Sequence, residues 1–387
     1  MKVVICGAGI AGLALASCLD DRGWEVVVLE KAGGPRVQGY MMDFFGVGYD
    51  AAEAMGLLPR LKELGYQVSE ASLLDGAGRR RAGIKLAQFA GTQRGRLLSI
   101  MRPDLELALR ERLSVDLRFG TSVKDVVDKG NGVAVTLTDG SVIEADLLVG
   151  ADGIHSAVRR LVFGEESRFL RHLGFHTAAY RFDDPEIQAR VGDRFCLTDT
   201  TGAQMGFYGL RDGKVAAFAM HRTESAALPD DVPSALAAEY GSLGWVVPRA
   251  LAQCPPAAEV YYDVVAQVEL PQWSRGRVVL VGDACYAVSL LAGQGASLGI
   301  AGAYVLAEQL AKAESIEDGL AAYERVWRPV AEEKQRVARA AAKWFLPVSK
   351  VQLGVRRVAL KLARLPGIDR LVATFVGGKP SAIINVG

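Results

Sequence analysis

The chain opens with an apolar run, Val3-Val4-Ile5-Cys6, that breaks at Gly7-Ala8-Gly9-Ile10-Ala11-Gly12. After a helix-length interval a second run, Val26-Val27-Val28-Leu29, ends on Glu30. Unbroken β-formers without polar alternation describe strands buried on both faces, so the pattern predicts a β-α-β unit with a glycine turn. Similar runs return at Leu147-Leu148-Val149-Gly150, which exits into Ala151-Asp152-Gly153, and at residues 277–281, which exit into Gly282-Asp283. Alternating positions at 133–137 and 142–145 flank Asp139-Gly140 and predict a hairpin. Shorter β-like segments at 177–182, 205–210 and 215–221, then a charged helical stretch and an apolar segment near 260–270, predict an inserted sheet. A strand around 71–74 is expected to pair with it. Past about residue 340, Val351, Val355, Val358, Leu362 and Leu365 recur at steps of four and three, with Arg356, Arg357, Lys361 and Arg364 between them. This predicts a helix, confined by Pro347 and Pro366, that buries the apolar positions and keeps the basic ends wet. Packing across the domains is the expected role of that helix, ahead of attachment to a membrane surface.

The first glycine turn has a physical reason for each residue type. Gly7 makes the tight turn, Gly9 lets backbone approach a pyrophosphate, and Gly12 allows close helix packing, while the N–H groups at Ile10 and Ala11 open toward phosphates. The Glu30 carboxylate at the end of the second strand is placed to accept from a ribose, with Lys31 beside it. The late return at Gly282-Asp283, followed by Gly293-Gln294-Gly295-Ala296 at a helix start, suits the polar edge of a flat ring. A cofactor reaching from an adenine pocket to a distant reaction centre would need both ends.

Together Gly7-Ala8-Gly9-Ile10-Ala11-Gly12 with Glu30, Ala151-Asp152-Gly153-Ile154-His155-Ser156-Ala157-Val158-Arg159, and Gly282-Asp283-Ala284 with Gly293-Gln294-Gly295 resemble a known family. It is that of the FAD-dependent monooxygenases of the para-hydroxybenzoate hydroxylase type, which includes tetracycline-inactivating enzymes. The match extends over about residues 1 to 330. The resemblance implies an α/β fold: a Rossmann-like FAD-binding domain with an inserted mixed β-sheet substrate domain and C-terminal helices. The expected division gives the FAD domain residues 1–71, 95–167 and 271–340, the substrate domain 72–94 and 168–270, and a helical region 341–387. It further implies reduction of FAD by NADPH or NADH, and hydroxylation of an aromatic or polycyclic, polyketide-like molecule by O2 through a flavin C4a-hydroperoxide.

Arg36 and Arg102 resemble the family arginines that meet the cofactor's phosphates, and Asp152 the carboxylate that supports both FAD and the route of the reductant. Arg159 and Arg160 are expected at the reductant's phosphates, and Asp283 at the ribityl chain. The N–H groups after Gly293, at Gly295 and Ala296, are expected at the flavin pyrimidine edge. One departure stands out: the loop after Gly282-Asp283 lacks the family's proline, and Leu290 most nearly takes its place, which opens the loop to a different shape. Candidate substrate contacts are Met41, Met42, Phe44, Phe45, Phe207, Tyr208, Met220 and Leu290. His176 and His221 are candidates for proton transfer, with a structural role favoured for each. An FAD-containing cyclase or other non-oxygenating flavoenzyme, and a noncatalytic FAD-binding protein, stay open as alternatives.

Composition narrows the partners. With 387 residues, half of them hydrophobic, the chain is long enough for two connected domains, and its net charge of +1 offers no general attraction for nucleic acid or acidic membrane. The N-terminus starts its buried strand at once, without the order of a secretory signal. The five cysteines show no metal-ligand spacing. A cytoplasmic, metal-free monomer or weak homodimer without stable membrane association is the expectation.

Overall fold

The computed structural model describes residues 1–36, 38–87, 95–362 and Ile384. The opening pattern folds as β1 (Lys2–Cys6), α1 (Ile10–Asp20) and β2 (Glu25–Glu30). β1 lies in the middle of a six-stranded sheet. Parallel neighbours Leu147–Gly150 and β2 flank it, followed outward by Val278–Leu280 on one side and Asp116–Phe119 on the other. A short antiparallel strand, Ser274–Arg275, closes one edge. Val3, Val4, Ile5, Leu147, Leu148 and Val149 have no exposed surface, as strands covered on both faces require. Because the three apolar runs end at the same edge of this sheet, their exits, Gly7, Ala151 and Gly282, converge, where open α/β sheets place ligand-contacting loops.

The hairpin joins Val133–Leu137 to Val142–Ala145 through Gly140 at φ +87°, and Val123–Asp128 completes a three-stranded sheet. The inserted sheet has seven strands, in the order Tyr261–Val268, Leu170–Phe182, Val215–Arg222, Ala203–Gly209, Phe195–Thr198, Glu70–Leu74 and Arg80–Lys85. The strand expected near 71–74 does join it, running parallel to Phe195–Thr198 with Ala71 opposite Phe195. Between the two large sheets β3 (Met41–Phe45) pairs antiparallel with Leu97–Met101. Residues 88–94 of the expected substrate segment lie outside the described residues.

The helices Gly295–Lys312 and Ile316–Phe345 follow the last sheet return. The first packs its Gly299 against Ala11 of α1. The second starts from a Ser315 side chain that accepts from the Asp318 N–H and buries Tyr323 and Trp327 completely. The terminal helix Lys350–Leu362 corrects the reading of the tail. Val351, Val355 and Val358 are exposed, whereas Arg356 and Arg357 turn inward to Asp199, whose side chain has no exposed surface. A buried carboxylate without a counter-charge costs more than three exposed valines, so Asp199 decides which face of the helix is covered. Leu365 lies outside the described residues. Among the described residues no helix is long and apolar enough to cross a membrane.

Candidate active site

Glycine is required at the first turn. Gly7 holds φ at +111°, and a Cβ there would lie 2.4 Å from the Ala151 carbonyl oxygen. A Cβ on Gly12 would lie 1.9 Å from the Gly7 carbonyl oxygen, so strand, turn and helix can close only without those atoms. Gly9 is different: a Cβ there would meet nothing nearer than the Arg102 guanidinium at 3.9 Å. The space in front of it is open. Glu30, buried at the end of β2, accepts from the Ala8 N–H at 3.0 Å and the Ala32 N–H at 2.9 Å, locking the turn to the second strand. A small cleft bordered by Gly9, Glu30, Pro35, Arg36, Arg110 and Phe119 leads from here, with the Arg36 guanidinium 3.9 Å from Glu30. Lys31 is exposed and borders neither this cleft nor the larger cavity.

Gly9 also borders a cavity of about 440 Å³. Its cofactor side consists of Ile10, Ala11, Arg102, Gly153, Gly282, Asp283, Gly293, Gly295 and Ala296; the opposite wall includes Met41, Met42, Thr177, Phe195, Tyr208, Phe218, Asp263, Leu290 and Phe345. Helix Gly295–Lys312 aims its first, unbonded N–H groups at this space, since the Leu298 N–H is the first to bond back, to Gln294. Ser289 holds φ at +77°, and its buried Oγ has no partner among the described residues. Such backbone costs about 1 to 3 kcal/mol and needs surrounding structure to hold it. Leu290, which most nearly takes the proline's place, opens a short 3-10 turn and borders the cavity, and the strained serine directly precedes it. Open space before Gly9, free helix N–H groups and an orphaned hydroxyl along one trough fit a long cofactor with phosphates at one end and a polar ring edge at the other.

Electrostatics distinguish the two ends. Arg102, whose Nε donates to Glu106 at 3.1 Å, is the only cation among the described residues that line the large cavity. Burial disfavours its charge, but Glu106, Tyr40, Tyr261 and Asp283 more than offset this and raise its pKa. Asp283 is open to the cavity yet hemmed in by protein. This burial raises its pKa, against the lowering effect of Arg102. Tyr40, with its ring 5.8 Å from that of Tyr261 and 6.1 Å from that of Phe218, is pushed up to about 12 by burial and stays a neutral phenol.

Several candidates sit elsewhere. Asp152 accepts from the Ala157 and Val158 N–H groups and from Ser156, so it shapes its own loop and does not line the cavity. Arg159 corrects the expectation at the reductant's phosphates. It has no exposed surface and donates to the carbonyls of Ala284 at 3.0 Å and Ile154 at 2.6 Å and to Glu166 at 2.9 Å, tying the Asp152 loop to the Asp283 turn. Arg160 is exposed.

Phe44 and Phe207 are wholly buried in separate cores, and Met220 packs among Phe175, Val265, Leu291, Ala342 and Leu346; none of the three lines the cavity. At these two positions the strand neighbours part: Phe45 and Tyr208 border the cavity, while Phe44 and Phe207 pack into the cores behind. Tyr208 Oη accepts from the Met41 N–H at 2.5 Å, which joins β3 to the inserted sheet. His176 and His221 are buried against Tyr262 and Tyr240, with burial lowering both pKa values, and neither borders the cavity. The reading of the sequence missed Tyr40, Asp43, Thr177, Phe195, Phe218, Tyr261 and Asp263. Tyr40 and Asp43 stand beside Met41 and Met42, which were singled out, and Thr177, Phe218, Tyr261 and Asp263 lie in segments read as strands, but nothing in the sequence said which strand residues would face the cavity.

Comparisons with known proteins agree with this geometry. A family model described as an FAD binding domain matches residues 1–229 and 252–338. The FAD-dependent monooxygenase asL6 of Sarocladium schorii is 30% identical, covering 97% of this chain and 95% of that protein. An uncharacterised protein of Mycobacterium tuberculosis is 35% identical over 86% of this chain and 91% of its own length. Among solved structures, the tetracycline destructase Tet(51) superposes with a TM-score of 0.82 at 25% identity, over 98% of this chain and 99% of that one. Klebsiella pneumoniae HpxO, complexed with FAD and uric acid, shares the fold at 21% identity with a TM-score of 0.78, over 96% and 97% of the two chains.

Proposed function

Because the chain belongs to the FAD-binding domain family, as a flavin-dependent monooxygenase of aromatic and polyketide-like substrates, we propose that NADPH or NADH is its reductant and that the cavity wall at Tyr208 holds the substrate. When bound, FAD would supply the redox chemistry of reduction by the nicotinamide nucleotide and oxygenation of the substrate by O2. The chain's own residues bind, orient and exclude water.

In this reading Gly9, Ile10 and Ala11 present N–H groups to the pyrophosphate, Glu30 accepts from the adenosine ribose, and Arg36 and Arg102 face phosphates. Asp283 accepts from the ribityl chain, and the N–H groups at Gly295 and Ala296 hold the pyrimidine edge. Met41, Met42, Tyr208 and Leu290 contact the substrate, with Tyr40, Phe218 and Tyr261 completing an apolar wall that keeps water from the reacting carbon. Arg160 remains available to the nicotinamide nucleotide, which has no second glycine-turn domain to bind and approaches transiently. Residues 72–87 and 168–270 form the substrate domain in this assignment, and the enzyme works in the cytoplasm as a monomer or weak homodimer.

The observation that carries the reading is that the cleft at Glu30 and Arg36 and the cavity that reaches the Tyr208 wall share Gly9 in their linings. Anaerobic flavin reduction by NADPH and by NADH, with and without a panel of phenolic polyketides, tests it. Reduction stimulated by a panel member supports the assignment and selects the reductant. Retention of FAD with no reduction by either nucleotide across the panel contradicts it.

A further inference from the structure

Asp263 stands in the cavity wall on the strand Tyr261–Val268, opposite Thr177 of the neighbouring strand. Its Oδ1 is engaged: it accepts from the Val264 N–H at 2.8 Å and lies 3.1 Å from His155 Nε2. Its Oδ2 has no hydrogen-bond partner among the described residues, although the residue is only 9% exposed. Asp263 borders the space where a substrate would lie, so this oxygen is left to accept from a ligand there.

Behind Asp263, His155 is held between two carboxylates, with Nδ1 2.9 Å from Glu166 Oε1, and Glu166 is held in turn by Arg159. The hydrogen bond to Asp263 comes first and Glu166 second in pushing the His155 pKa up to about 9, against the effect of burial. At neutral pH the imidazolium therefore donates from both nitrogens. A clamp between strand and loop needs only Oδ1. The second oxygen is left over in a residue that borders the cavity; Asp43 and Asp283 line the same cavity, and the one cation among the described residues lining it, Arg102, is already bonded to Glu106.

We infer that Asp263 accepts a hydrogen bond from a hydroxyl or amino group of the aromatic substrate, with His155 as its positioning residue, so that the cavity selects donor-bearing substrates and rejects carboxylates. This rests on the reading of the cavity as the substrate chamber of a flavin monooxygenase. A hydrogen bond given to a carboxylate leaves more electron density on the aromatic ring, the property that electrophilic oxygen transfer uses. A carboxylate in the same position would meet like charge, and the one cation among the described residues lining the cavity, Arg102, is already bonded to Glu106.

The test uses the FAD-loaded full chain and two probes with one skeleton, 2-naphthol and 2-naphthoate, titrated against the flavin absorption spectrum. Naphthol is expected to bind at least about tenfold more tightly than naphthoate, a difference of about 1.4 kcal/mol. Asp263→Asn brings the ratio toward one, His155→Gln gives an intermediate ratio, and the double variant matches Asp263→Asn alone, all with FAD retained. A wild-type ratio near or below one, binding of neither probe, or a ratio unchanged in Asp263→Asn overturns the inference while leaving the flavin assignment intact. Wild-type protein that folds without taking up FAD instead overturns the flavin assignment. Should Asp263→Asn lose FAD, the wild-type ratio and that of His155→Gln decide.

Discussion

The Gly7–Gly12 cradle and the wall at Thr177, Tyr208 and Asp263 face one cavity but are built by different means. The cradle is backbone: the turn closes because no Cβ stands between Gly12 and Gly7 or between Gly7 and Ala151, and its polar groups are N–H groups at helix starts. The wall is side chains on three strands of the inserted sheet, and which of them face inward depends on register and on what packs behind. A backbone site tolerates change in most side chains and none at Gly7 or Gly12. A side-chain wall can be altered residue by residue with the cofactor still in place.

The largest expected effect breaks the fold behind the wall without touching the cavity. Phe207→Ala, in a fully packed core, should cost about 4 kcal/mol in denaturant unfolding, while the relative binding of different aromatic ligands stays as in the wild type. Next is the cradle: Gly12→Ala should destabilise by about 3 kcal/mol through overpacking and should release FAD, read by flavin content after gel filtration. Arg159→Ala should cost about 3 kcal/mol because it leaves two carbonyls and Glu166 without their buried partner, whereas Arg160→Ala, at the surface, should stay within about 0.5 kcal/mol. Tyr208→Phe should cost only about 1 kcal/mol by leaving the Met41 N–H without its acceptor, and should shift aromatic-ligand affinity with FAD content unchanged.

The smallest effect is a pH dependence. The folded-state pKa of His155 is raised from 6.5 to about 9, so its stabilisation is complete below pH 6.5 and is lost as the pH rises through about 9. The Tm difference between wild type and His155→Gln should therefore be greatest at about pH 6 and smallest at about pH 10. A difference that grows with pH would mean that the two carboxylates do not hold the imidazolium in solution.

The same contrast explains what could be read along the chain. Gly7, Gly12 and Glu30 act within one strand-turn-helix-strand unit, so their spacing carries their structure. The buried runs at 147–150 and 278–280 are legible as strands for the same local reason. Phe44 and Phe207 misled because alternation says that one of two adjacent residues faces the cavity without saying which. Arg159 looked available to the reductant's phosphates because nothing near it in sequence announces that the Ala284 carbonyl would reach it. The tail reversed for a similar cause: its valine spacing is a sound helix signal, but Asp199, far along the chain, draws Arg356 and Arg357 inward and leaves the valines outside. Asp263 gains its place only when its strand pairs beside Thr177.

The central claim is that FAD in the cradle delivers oxygen to a substrate held by the wall. Its most direct test is mass spectrometry of the FAD-loaded protein turning over with NADPH or NADH, isotopically labelled O2 and a panel of phenolic polyketides that includes tetracycline. The account predicts a product carrying one labelled oxygen atom, formed only when reductant and O2 are both present. Reductant consumed with all the label recovered as peroxide across the panel, or a product without label, would contradict it.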